Sequence, residues 1–203
     1  MGHKQTRDSL HAIAELLLAG PQYRRDRTIR LTVIPGAIST VTTPELRADH
    51  LNVWADGTPV AIEGATYAEL AARLGVTAGA PEGLYHDGSG AQPADRPELD
   101  PAAAQELLAA LYRGDQALRI FAPDATPVLW PEHFDIGVTA DEVNYGVSLG
   151  DSYLDEPYMY VGPHKPREGE FWNAPFGAAL PLAATAEEVA EFFVEGRRLA
   201  AEG

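Results

Sequence analysis

No cysteine occurs in the 203 residues, which excludes disulfides, thiolate catalysis and cysteine-ligated zinc or iron–sulfur. Any metal would have to be held by His, Asp or Glu. Lysine is nearly absent too: of fifteen basic residues only Lys4 and Lys165 are lysine, against thirty acids, for a net charge of −15. A phosphate backbone is bound by placing cations against it, so this balance argues against a nucleic-acid partner. No apolar run approaches eighteen residues, which argues against a spanning helix. The N-terminal stretch has an apolar core, but Asp8, His11 and Glu15 interrupt it and no small-residue cleavage site follows. It reads as an amphipathic helix rather than a signal, and the expected compartment is the cytoplasm.

What is present suits one globular domain. The hydrophobic fraction is 45% and the charged fraction 22%, ordinary for such a chain. Charge is uneven: residues 1–50 hold seven Lys/Arg and five Asp/Glu, and the remainder eight and twenty-five. The bases gather in "YRRDRTIR", where arginines paired with the acidic body are expected rather than a nucleic-acid patch. The expected assembly is a monomer or weak homo-oligomer.

Periodicity places a first helix over 9–19, with Gly20–Pro21 as its stop. "TIRLTVI" alternates as a half-buried strand, Pro35–Gly36 turns the chain into "AISTVTT", and Asp56–Gly57 marks a hairpin within 51–62. Thr66 with Glu69, and Thr185 with Glu188, have capping-box spacing, with Gly75 where a C-terminal cap belongs. Asp100–Pro101 opens a long helix with an expected weakening at Gly114. Residues 76–99 read as a long loop. The fold class expected is α+β, a single domain over 1–203, with a mainly antiparallel sheet and helices on one face.

Two motifs fail in context. "GVSLG" matches a nucleophile elbow at Ser148, but no helix follows it. "DGSGAQPADRPE", from Asp87, has acids at calcium-loop positions one, nine and twelve. It puts Ala91 at position five and Gln92 where glycine is required.

"VLWPEHFDIGV" is more informative. A hairpin of 134–139 with 142–149 around Ala140–Asp141 pairs Val138 with Val143, Ile136 with Tyr145 and Phe134 with Val147 on one apolar face. The other face then sets His133 opposite Ser148, Asp135 opposite Gly146 and Gly137 opposite Asn144, with the glycines leaving room above the sheet. Residues 130–176 hold nine of the seventeen aromatics. Aromatic walls with a few polar groups describe a ligand pocket. The expected ligand-binding residues are Trp130, Asn144, Glu156, Tyr158, Tyr160 and Trp172. His133, Asp135 and Ser148 are the candidate catalytic group, His133 acting as base to Ser148 and oriented by Asp135. Alternatively His133 and Asp135, with Glu156 or His164, could hold a divalent metal.

The segments "PVLWPEHFDIGV", "EVNYGVSLGD" and "EPYMYVGPHKPREGEFWNAPFG", followed by a final helix, resemble an uncharacterised family of bacterial proteins, a domain of unknown function. The likeness is strongest over 127–181. It implies an order of elements and a centre near 127–176, and no activity or cofactor. The reading preferred here is a small-molecule-binding or structural protein with an aromatic-walled pocket near 130–176. A hydrolase or metal-dependent enzyme using His133 and Asp135 is one alternative. An acidic protein-interaction module is the other.

Overall fold

The computed structural model describes residues 2–86 and 88–202; Asp87, the first position of the rejected calcium loop, lies outside them. The protein is α+β, and all of its strand pairings described below are antiparallel. Two compact units are present, 1–109 with 129–134, and 110–128 with 135–203.

In the first unit, α1 (His3–Ile13), a π-helical segment (Ala14–Ala19) and α2 (Gly20–Asp26) form one uninterrupted helical run. The sheet follows in the order β6-β1-β2-β3-β4-β5, from β1 (Leu31–Ile34), β2 (Ala37–Thr40), β3 (Leu46–Ala48), β4 (Asn52–Ala55), β5 (Thr58–Ala61) and β6 (Val128–Trp130). The short helix α3 (Tyr67–Arg73) carries the expected capping box, and Gly75 has φ +74° just after its end. The core joins Leu10, Ile13 and Leu16–Leu18 of the helical run to Leu31, Ile38, Leu46, Val53 and Leu70.

The expected stop at Gly20–Pro21 is overturned, and the reason is local. Across the π-helical segment the hydrogen bonds run i to i+5, as from the Gly20 amide to the Glu15 carbonyl. Continued by one residue, that ladder would give the Leu16 carbonyl to residue 21, and Pro21 has no N–H. The Gly79 amide takes the carbonyl instead, at 3.0 Å. Gly20 is the contact point for this visiting backbone, because a Cβ there would stand 1.7 Å from the Gly79 carbonyl oxygen. The run ends at Arg27, which is left-handed at φ 60°.

In the second unit the strand order is β10-β9-β8-β7, from β7 (Asp135–Ala140), β8 (Val143–Ser148), β9 (Tyr158–Pro163) and β10 (Ala178–Pro181). Residues 110–121 of α4 (Pro101–Phe121) and α5 (Ala186–Ala201) cover the face bearing Ile136, Val147 and Val161. Gly114 does not weaken α4. It lets the helix lie on the sheet, since a Cβ would come within 2.9 Å of Val147 and 3.0 Å of Ile136. Gly196 does the same for α5, where a Cβ would stand 2.7 Å from Val161. Phe121, Tyr145 and Phe193 complete this core with tilted and edge-on rings.

Candidate functional site

The β7–β8 hairpin sets the register of the expected site, and it differs from expectation by two residues. Asp141 and Glu142 both adopt positive φ, 53° and 60°, and form the two-residue turn. Ala140 therefore pairs with Val143, Val138 with Tyr145 and Ile136 with Val147. A shift of two preserves the faces, because side chains alternate with period two. The partners change: Asp135, not His133, stands opposite Ser148, and Gly137 stands opposite Gly146.

The strand begins at Asp135, so Phe134 is not part of it. Phe134 is left-handed at φ 52°, ends the turn after Trp130 and stacks on His11 with parallel rings 5.4 Å apart. The His11 ring nitrogen Nε2 lies 2.7 Å from the Pro131 carbonyl. Burial lowers the His11 pKa, against the raising effect of that carbonyl and of Glu15 and Asp8. A neutral ring donating to Pro131 therefore anchors the turn "WPEHF". His133 itself is exposed, its Nε2 3.5 Å from Glu132. Trp130 is half-buried, with the Arg30 guanidinium 5.9 Å over its ring. His133 and Trp130 belong to the first unit, and the other expected residues to the second.

In the second unit Asp135, Ser148, Tyr158 and Tyr160 share the sheet face away from the helices. The room expected above Gly137 and Gly146 is filled. A Cβ on Gly146 would lie 2.5 Å from the Tyr160 hydroxyl, and one on Gly137 3.2 Å from it, so the Tyr160 ring lies across both glycines. Its hydroxyl donates to Asp135. Desolvation, then the Asp135 charge, pushes the Tyr160 pKa well above the ordinary tyrosine value, so the phenol stays a donor. Tyr158 donates to Asp151 at 2.6 Å and is likewise raised, first by burial and then by that hydrogen bond. Ser148 is 4% exposed, and its Oγ accepts from the Gly150 amide at 3.1 Å. Asn144 sits at the turn end, taking a hydrogen bond from Thr139 at 2.7 Å. Glu156 is exposed ahead of β9. Trp172 packs edge-on against Phe171, which meets Phe192 of α5. Among the described residues no group of three or more His, Asp or Glu side chains is placed to hold a metal ion.

A different concavity lies in the first unit. A cleft of about 450 Å³ is lined by Lys4, Gln5, Asp8 and Ser9 of α1, Tyr67 of α3, and Ser89, Asp95, Arg96 and Glu98 of the long loop. Hydrogen bonds from loop to helix build it. Ser9 Oγ donates to the Glu98 carbonyl at 3.2 Å and accepts from the Glu98 amide at 2.9 Å, and Gln5 donates to the Glu98 carboxylate. The Tyr67 amide bonds the Asp95 carbonyl, and its hydroxyl reaches the Ser9 carbonyl at 3.5 Å. Ser89 is fixed from beneath: its amide, at 2.9 Å, and its hydroxyl both donate to Glu15, a carboxylate only 3% exposed. Burial first, with Asp95 and Glu98 adding, pushes the Tyr67 hydroxyl up to about 12.

None of these cleft residues forms a motif. Ser9 and Glu98 stand 89 positions apart, so no local pattern joins them. The available signal was the loop itself, since long structureless segments in compact proteins are commonly functional. No protein-family model, curated protein or solved structure matches the chain.

Proposed function

We propose that this protein binds a small, neutral, hydroxyl-rich molecule in the cleft of its first unit. The observation that carries the reading is the cleft, whose size falls within the range of about 300–1,000 Å³ usual for ligand sites. Nine of the eleven residues that line it carry polar side chains, and these select the ligand class. The charges are already engaged: Lys4 pairs with Asp8 at 2.7 Å, and Arg96 donates to the Gly64 carbonyl with Glu69 3.9 Å away. The Gln92 amide caps the Asp95 carboxylate at 2.8 Å. An anionic ligand would have to take Lys4 and Arg96 from these contacts. Hydroxyls, which both donate and accept, can add to the remaining lone pairs of Asp8, Asp95 and Glu98 and to the hydroxyls of Ser9, Ser89 and Tyr67.

Isothermal titration with neutral sugars and polyols, beside amino acids and polyamines, tests this. A hydroxylated compound should bind, and Tyr67→Phe should weaken it several-fold, the loss expected for one hydrogen bond worth about 1 kcal/mol. Binding only by polyamines, or binding unaffected by Tyr67→Phe and Glu98→Gln, would remove the proposal.

A further inference from the structure

The aromatic face of the second unit reaches the surface at Tyr153 and Phe176. Tyr153 is 43% and Phe176 38% exposed, and their rings meet edge-to-face at 5.1 Å. Behind them Tyr158 stacks on Phe176 at 6.4 Å, and Tyr160 meets it edge-on at 6.5 Å. The loop bearing Tyr153 is held in place. Asp151 accepts from the Tyr153 amide at 2.7 Å and from the Tyr158 hydroxyl at 2.6 Å, and its own amide donates to the Leu154 carbonyl. The rings are therefore presented without a large ordering cost on binding.

The segment that carries Tyr153 has one sign. Asp151, Asp155 and Glu156 are all exposed, and residues 149–163 contain no lysine or arginine. An aromatic face attracts a cation through its quadrupole, and a neighbouring carboxylate adds to that attraction.

We propose that Tyr153 and Phe176, with the acidic stretch 151–156, form a docking surface for an arginine-rich segment of a partner protein. Arginine fits better than lysine because its planar guanidinium can lie flat on a ring while its N–H groups meet a carboxylate. Each exposed cation–π or ion-pair contact is worth only about 0.5–1 kcal/mol, so one isolated cation would be held weakly. Several cations on one chain engage the two rings and the carboxylates of Asp151 and Glu156 together, which is why the occupant is a polypeptide segment rather than a free amine.

The test is fluorescence anisotropy of a labelled oligo-arginine peptide against the full chain at physiological ionic strength. Binding is expected, tighter than for oligo-lysine of equal length. Tyr153→Ala and Phe176→Ala should each weaken it by about threefold or more, the loss of one cation–π contact. Tyr153→Trp, which keeps a π face, should retain it, and this separates lost recognition from lost folding. Glu191→Gln on α5 removes the same charge elsewhere and should leave affinity nearly unchanged. Equal weakening by Glu191→Gln and Tyr153→Ala would reduce the effect to general attraction by a net charge of −15 and overturn the proposal, as would an absence of peptide binding.

Discussion

Gly146 shows how much a single missing side chain decides. Tyr160, on the neighbouring strand, can lie flat across the sheet only because residues 137 and 146 have no Cβ. Its hydroxyl then reaches Asp135, and a carboxylate on a half-buried sheet face gains its donor. Gly146→Ala would place a methyl 2.5 Å from both the Ile136 carbonyl and the Tyr160 hydroxyl, closer than real Cβ contacts come. The expected cost is about 1–3 kcal/mol, as for overpacking elsewhere, with the Tyr160 ring displaced. Chemical denaturation measures it; a loss below that of an exposed control such as Thr139→Ala would refute the role given to the glycines. The pair Gly137/Gly146 was visible in the amino-acid order, but its meaning was inverted. Glycines suggested space for a ligand, and the space is taken by a tyrosine from a strand formed some fifteen residues later in the chain.

At the scale of elements, edges and junctions carry the specificity. β5, at one end of the first unit's strand order, contains Pro59. The hairpin closes at Ala55–Thr58, so Thr58 and Val60 point their amides at β4 while residue 59 points outward, where the missing N–H costs no ladder bond. The loss of that donor also discourages another strand from adding there. β10 is protected differently: the Asn173 side chain accepts from the Ala179 amide and donates to the Ala179 carbonyl, occupying the positions a further strand would use.

The junction of the helical run with the long loop is the element most open to test. Gly20→Ala would press a methyl to 1.7 Å from the Gly79 carbonyl oxygen, a backbone atom that cannot swing away. Loss of about 1–3 kcal/mol is expected, with faster proteolysis within 76–99 as the loop lifts from Leu16. An unchanged cleavage rate would mean that the Gly79–Leu16 contact does not hold the loop. Because the loop also supplies Ser89, Asp95, Arg96 and Glu98, the same substitution should weaken any ligand of the cleft.

For the molecule as a whole, stability should carry the mark of the half-buried His11 imidazole. His11 has a lowered pKa in the folded state, chiefly through desolvation, so the unfolded chain binds its proton more readily. The contribution is complete above the ordinary value of about 6.5 and is lost as pH falls from there through the folded value. Wild type should therefore lose stability between pH 7 and the onset of carboxylate titration more steeply than His11→Gln, whose amide can still donate to Pro131. Parallel slopes in the two proteins, read by denaturant unfolding at each pH, would contradict a neutral, half-buried His11.

The sequence by itself determined the α+β class, the antiparallel hairpin at Asp56–Gly57, both capping boxes and the buried face of Ile136, Tyr145 and Val147, while it placed the second hairpin turn one residue early, at Ala140–Asp141 rather than 141–142. These rest on near neighbours: turn chemistry, period-two alternation and a cap three residues from its partner. Tertiary structure alone decided the rest. Whether Gly20–Pro21 ends a helix depended on Gly79, whether Gly137 and Gly146 leave a gap depended on Tyr160, and the cleft depended on Glu98 meeting Ser9. Each partner is brought in by a chain reversal that leaves no periodic trace. A local pattern can say that a backbone group or a glycine is available, but only the packed fold says what takes it.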